Sequence, residues 1–396
     1  MKKPFSIPLL SQMLFHRTPK SVQEKLIAVY LWTLMTYWGH FSISLVAQYL
    51  KRHKAQVSRH MKNNLFLDNL SQKMLPKELS GRIGKKAHLI IDSTMKAKRG
   101  KKLCNLQKFK TSRGFIIGHC FVFALLICED NSSWIIAVKP YLTKAFCRRT
   151  NQEFKTQNQL AVEILQEVSL PLETHVIVVA DSAFVAHFIV SEITTHPQWS
   201  FVSSLDSNRK ITIKGYTRHT ADFKKEYLPA LKKISISCNG RKNTLKVMSI
   251  SAEVSKVGPA TVVLSQRDRQ TLALIGVGKR LSLRAICYAY LLRWRIEILF
   301  KELKQYLHFG SYHCRDFEAY MNHILLVILA YNILKSLYPK FSIAEAKKQV
   351  SQSSQAVFLY ELKHDLTKFH GNRIVKNKIF QALSAMTGIF PLSMAG

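Results

Sequence analysis

Three runs between residues 88 and 142 decide the fold: HLIID (88–92), GFIIGHCFVFALLIC (114–128) and SWIIAVKPYL (133–142). Each is dense in Ile, Val, Leu and aromatic residues. Each is also bounded by turn-forming or charged residues, the pattern of a buried strand. Moving outward, Gln152 to Val168 carries apolar residues at helical spacing, followed by VIVVAD (176–181), a helical stretch after Phe184, and WSFVSSLD (199–206).

Three strands in a row, then helix, strand, helix and strand, is the order of an RNase H-like domain. Its mixed sheet joins an antiparallel meander to right-handed crossovers. The fold class expected is therefore α/β, with an RNase H-like mixed-sheet core at 81–207 and 281–338. Residues 208–280 interrupt that plan with alternating segments (KITIKGY, KKISISC, NTLKVMSISAEV, TVVLSQ, TLALIGV) and read as a β-rich insertion. Helix returns at Leu283 and again from Phe317 to Tyr338. The flanks, 1–80 and 339–396, read as helical.

Within the first flank, SISLVAQYL (42–50), a basic turn KRHK (51–54) and AQVSRHMKN (55–63) resemble a helix-turn-helix. Leu45, Val46, Tyr49, Leu50, Val57 and Met61 would face inward, and Gln56, Ser58, Arg59 and Lys62 outward, where they could read DNA. An ordinary helical pair with a basic surface gives the same pattern.

The chain has 396 residues, 47% of them hydrophobic, enough for several domains and a sizeable core. Lys and Arg number 59 against 24 Asp and Glu, a net charge of +35, which points to a polyanionic partner and to nucleic acid first. A membrane is the weaker candidate, since the longest apolar runs (26–38, 120–128, 324–331) fall short of the roughly 20 residues that cross a bilayer. No export signal stands out. The seven cysteines are scattered without a CxxC pair, as in a reducing cytoplasm.

Carboxylates are scarce, so their positions inform. Between Arg82 and Arg113 there are eleven Lys or Arg and a single acid, Asp92, at the end of HLIID. Asp181 repeats the pattern after VIVVA, and Asp206 after FVSSL is its rival. A structural pairing with a nearby lysine explains any one of them. Two on adjacent strands could share hard cations such as Mg²⁺.

The sharpest signal is YAYLLRWRIEILFKELKQYL (288–307). On one straight helix, Tyr290, Arg293, Glu297 and Lys304 fall on a stripe about 60° wide. Leu292, Ile296, Leu299, Leu303 and Tyr306 take the opposite face. A solvated charged face would show the same arrangement.

These four residues match the Y-x2-R-x3-E-x6-K signature of bacterial insertion-sequence DDE transposases, which most of the chain resembles. IIDST (90–94) and VVADSAF (178–184) stand where that family carries its two catalytic aspartates, and the insertion falls where the family has one. The resemblance implies Asp92, Asp181 and Glu297 as catalytic metal ligands for two Mg²⁺ ions, with Mn²⁺ as a substitute. It implies Tyr290, Arg293 and Lys304 as contacts to DNA phosphate. The partners are then double-stranded DNA, as element ends and target, and a second protomer in the paired-end complex. Residues 340–396, helical and without a catalytic signature, are the expected contributors to pairing, through an apolar stripe of Val357, Leu359, Tyr360, Leu362 and Leu366; packing of that stripe on the chain's own catalytic domain is an equal reading. Some relatives stack a flipped base on a Trp in the insertion. None lies between Trp199 and Trp294, leaving Tyr216, Phe223 or Tyr227 as substitutes. A nuclease that cuts without joining, and a transposase-derived DNA-binding protein, are the competing readings.

Overall fold

In a computed structural model, residues 5–368 are described, apart from 64, 66, 101, 112–113, 269, 280 and 313. Five helices come first: α1 (Ile7–Phe15), α2 (Val22–Thr36), α3 (Ile43–Tyr49), α4 (Lys54–His60) and α5 (Leu67–Leu79). The core follows as β1 (Lys86–Ala97), β2 (Gln107–Thr111), β3 (Gly114–Ile127), β4 (Ser133–Pro140), α6 (Lys144–Thr150), α7 (Gln157–Glu167), β5 (His175–Ala180), α8 (His187–Thr194) and β6 (Trp199–Ser204). The insertion holds β7 (Lys210–Ile213), β8 (Tyr216–His219), α9 (Thr220–Tyr227), β9 (Lys232–Cys238), β10 (Arg241–Val254), β11 (Gly258–Arg267) and β12 (Gln270–Val277). The chain then runs through α10 (Leu283–Leu292), α11 (Trp294–Tyr306), α12 (Phe317–Leu337) and α13 (Ile343–Lys368).

The core sheet has the expected RNase H-like form. β4 and β1 flank β3 antiparallel, β1 pairs β5 parallel, and β5 pairs β6 parallel. The insertion is not a separate sheet. β12 pairs antiparallel with β6, so one continuous 12-stranded sheet runs from β2 to β8.

Alternation along the strands sets the two faces. Ile90, Phe121, Phe123, Ile177 and Val179 point into a core shared with α10–α13, while Leu89, Ile91, Val122, Val176 and Val178 point into the core beneath α7 and α8. Because the period is two, Asp92 and Asp181 fall on the same face as Ile90 and Val179, toward α11. At the sheet's edge, the Asn332 amide of α12 donates to the Ile135 carbonyl and accepts from its N–H, covering the strand β4 exposes at its irregularity.

Four features depart from the sequence reading. β1 does not stop at Asp92; it runs to Ala97, because Ser93 to Ala97 keep pairing with β3 after the parallel pairing with β5 has ended at Ile91. An extra strand, β2, doubles back on β3. The helix expected from Gln152 starts at Gln157, where Thr156 and Gln159 form a capping box, and α6 precedes it. The signature does not lie on one helix. Arg293 separates α10 from α11 through a tight three-residue turn, its N–H bonding to the Tyr290 carbonyl and its own carbonyl to the Ile296 N–H. The two halves follow different surfaces: α10 packs on β6, β9 and β12, and α11 on β1 and α13.

The flanking helices belong to the same core. Tyr30 of α2 bonds His323 of α12, and the Asn322 amide donates to the carbonyls of Met61 and Asn63. Of the six residues expected to face inward around the basic turn, Val46, Val57 and Met61 are buried and Leu45 and Leu50 are half-buried, but Tyr49 is 44% exposed, its ring edge-on to Trp32. α12 is long and apolar enough to cross a membrane by length and composition, and 78% of its most apolar window is buried within the protein. In the last helix, Ile343, Ala346, Lys347 and Val350 are buried against this chain's own α2, α11 and α12, so this part of 340–396 packs internally. The side chains of the stripe at 357–366 lie outside the described residues.

Candidate functional site

Asp92 and Asp181 are neighbours by register. Ile91 pairs with Ala180 across β1 and β5, which sets the next residue of each chain side by side where the parallel pairing ends. The two share a local geometry that repeats in sequence as Asp-Ser. The Ser93 N–H donates to Asp92 Oδ1 at 2.7 Å, and the Ser182 N–H to Asp181 Oδ1 at 2.8 Å. One oxygen of each carboxylate is thus held by the main chain, which fixes the group's orientation.

Glu297 arrives from α11 across the gap. Arg293 lies between: its guanidinium donates to Asp92 Oδ2 at 3.4 Å and to Glu297 Oε1. It sits 5.7 Å from the centre of the Tyr290 ring. Burial works against the Arg293 charge, but Tyr290, Glu297, Asp181 and Asp92 together outweigh it, so the guanidinium holds its proton more tightly than usual. Burial lifts the Asp92 carboxyl to about 6. The Ser93 N–H and Arg293 pull it down, and Asp181 and Glu297 add to the rise. Asp181 and Glu297 thus both act on Asp92, and Arg293 offsets part of that repulsion. Asp206 is exposed in the loop after β6 and is not among the groups acting on Asp92.

Lys304 lies one turn and more along α11 and donates to Thr94 Oγ1 at 2.6 Å. Its ammonium is destabilised by burial and by Lys96. Arg293 and Lys304 thus bond residues of β1, Asp92 and Thr94, and Glu297 and Tyr290 stand beside Arg293. On the opposite side Leu292, Ile296, Leu299 and Leu303 are buried, and Tyr306 is half-buried beside Trp38.

Sequence reasoning overlooked Ser93, Ser182, Thr94 and Ser204. Ser204 Oγ stands 3.5 Å from Asp181 Oδ1. The repeated Asp-Ser was the signal available for the first two. Among the described residues no three His, Cys, Asp or Glu form a ready metal cluster. The donor set still suits a hard cation: three carboxylates, with Arg293 occupying the place of positive charge between two of them.

The residues proposed for DNA reading are apart from this site. Gln56, Arg59 and Lys62 line a cleft of about 710 Å³ with Lys25 and Arg52. Arg59 and Lys62 are exposed, and Gln56 and Ser58 half-buried. Of the three aromatic residues named in place of the missing Trp, Phe223 is fully buried against Tyr227, while Tyr216 is 72% exposed.

Residues 148–333 match the family model described as the transposase DDE domain. That stretch is similar to the DDE domain of transposases. The match supports the resemblance to insertion-sequence DDE transposases and spans Asp181, the insertion and the whole signature. It begins after β4, so Asp92 lies outside it. No curated protein matches the chain.

Proposed function

We propose that this chain is a transposase that binds the ends of an insertion sequence, cuts the DNA there and joins the freed ends to target DNA. The observation that carries the reading is the placement of Asp92 beside Asp181 by strand register, with Glu297 brought to Asp92 through the Arg293 guanidinium that bonds both. Carboxylates gathered at partly buried strand ends are a poor structural choice unless they serve to bind cations.

Asp92, Asp181 and Glu297 would hold two Mg²⁺ ions, or Mn²⁺, which when bound activate an attacking oxygen and stabilise the leaving 3′ oxygen of a phosphodiester. The Ser93 and Ser182 N–H groups orient the aspartates for that task. Arg293, with its planar fork, would exchange its carboxylate partners for a DNA phosphate, while Lys304 and Tyr290 hold the neighbouring backbone. Water as the attacking group gives cleavage, and a 3′-OH gives strand transfer. End recognition is assigned to Gln56, Ser58, Arg59 and Lys62, with two protomers joining the ends. Seven scattered cysteines without a CxxC pair fit action in the cytoplasm.

The test uses the terminal repeats flanking the gene. Wild-type protein with Mg²⁺ should nick at the repeat and join the 3′ end to a second duplex. Asp92→Asn, Asp181→Asn and Glu297→Gln should each abolish both steps and keep end binding. Cleavage without joining by the wild type would leave a nuclease. Full cleavage by Glu297→Gln would remove this triad, and loss of cleavage in Asp206→Asn alone would reassign the second aspartate.

A further inference from the structure

The strand pair β2–β3 projects past the point where β1 ends, and its two faces differ. On one face Phe109 is buried with its ring edge-on to Tyr141. On the other, Lys108 is opposite Ile117 and Lys110 is opposite Phe115. Cross-strand partners share a face, so these four form one patch. Phe115 is 62% and Ile117 54% exposed, and the Lys108 ammonium lies 4.0 Å from the centre of the Phe115 ring. Among the described residues this apolar surface is left exposed, and folding alone gives no reason for it.

The register says which way the patch looks. Asp92 pairs with Phe123, Thr94 with Phe121 and Lys96 with His119, and the next same-face positions of β3 are Ile117 and Phe115. The patch is therefore on the face that carries Asp92. Between them stand Lys304, on Thr94, and Lys96, two lysines on the way from carboxylate to hairpin. Gly118 marks where the pair bends close, because a Cβ there would strike the Lys96 carbonyl.

We infer that the exposed face of the β2–β3 hairpin holds the DNA duplex beside the cleavage point, Lys108 and Lys110 on phosphates and Phe115 against a sugar or an unstacked base. This rests on the functional reading above and adds to it a surface outside the signature. A lysine pair matched to an aromatic ring suits nucleic acid better than a protein face, since the same stretch of chain offers no acid other than Asp92 between Arg82 and Arg113. Distance makes it specific. Six to eight residues of strand separate Phe123 from Ile117 and Phe115, about 20–27 Å at roughly 3.4 Å each. That is about six to eight base pairs at the same rise.

The experiment places a benzophenone amino acid at Phe115 in the full chain and irradiates it with DNA carrying an element end. Adducts should map about five to nine nucleotides from the cleavage point. Phe115→Ala should weaken end binding by roughly 10-fold and Phe115→Trp should restore it, both with unchanged melting. Adducts to protein only, none at all, or adducts beyond about a dozen nucleotides, from a preparation whose unmodified form cuts the DNA, would overturn the hairpin assignment alone. If the unmodified chain does not cut, the functional reading falls first. Plain duplex then decides the hairpin: DNA adducts keep it, and protein adducts or none dismiss it.

Discussion

Glu297 and Glu302 lie on the same helix, α11, and meet opposite fates. Glu302 turns inward, is 8% exposed, and accepts the N–H of Ile343 at 2.9 Å, tying α11 to the start of α13. Burial raises its pKa, and the Ile343 N–H works against that rise. Glu297 faces β1, and it bonds a side chain, Arg293, which is shared with Asp92. A main-chain partner cannot leave without breaking the fold, whereas a guanidinium can trade one oxygen anion for another. For these two glutamates the kind of partner separates the acid that ties two helices together from the one free to serve a ligand; Asp92 and Asp181 also accept a main-chain N–H, but from the next residue of their own segment, which orients them without joining distant elements.

The widest test of that contrast is a pair of variants. Glu297→Gln should lower DNA cleavage by about 10³-fold or more while shifting the melting midpoint little. Glu302→Ala should leave cleavage within a few-fold of wild type at a temperature where both are folded. Equal losses of activity in the two would erase the distinction.

Asp92 sharpens it through pH. Its pKa rises from 3.8 to about 6 on folding, so the native state binds this proton more tightly than the unfolded chain does. Below about pH 4 both states are protonated and burial costs nothing. As pH rises from about 4 to 6 stability is lost, on the order of 3 kcal/mol by the time the native carboxyl ionises. Asp92→Asn should therefore melt higher than wild type at pH 7.5 without metal, with the two converging near pH 4. A lower midpoint at pH 7.5 would mean that the Arg293 pair outweighs the whole cost of burial.

Glu302→Ala, read by denaturant unfolding, should cost about 2 kcal/mol, since it leaves the Ile343 N–H buried without its acceptor. No measurable loss would show that Ser342 and Glu345, which bond each other at the same helix start, hold α13 in place unaided.

Much of this was legible in the sequence, for identifiable reasons. The apolar runs fixed β1, β3, β5 and β6, because strands buried on both faces must be almost wholly apolar. Asp92 and Asp181 stood out against so much positive charge, and helical spacing gathered Glu297 with Arg293. The break at Arg293 was hidden, since Leu292, Arg293 and Trp294 carry no helix-breaking residue; the turn comes from α10 and α11 following different surfaces. The run of β1 past Asp92 was hidden too. Ser93, Thr94 and Lys96 look like a loop until β3 supplies their partners. The burial of Lys347, whose ammonium donates to the Tyr306 carbonyl at 2.6 Å, could not be read from a charged residue in a polar helix.

Exposed charge completes the comparison with the smallest effect. Arg59 and Lys62 are exposed on and just beyond α4, and Lys62 has a carboxylate, Asp316, only at 4.0 Å. Neither is placed to hold the fold, so Arg59→Ala and Lys62→Ala should each change stability by less than about 0.5 kcal/mol. On the proposed reading their contribution is to DNA binding. A side chain that neutralises one phosphate releases its counterions, so each substitution should reduce the slope of log affinity against log salt by about 0.9. Gln56→Ala carries no charge and should leave the slope alone while narrowing the preference for element ends over random duplex. Fluorescence anisotropy across a salt series separates the two contributions. An unchanged slope in both charge variants would place the cleft away from DNA, and the end-reading role would then pass to another surface of the chain.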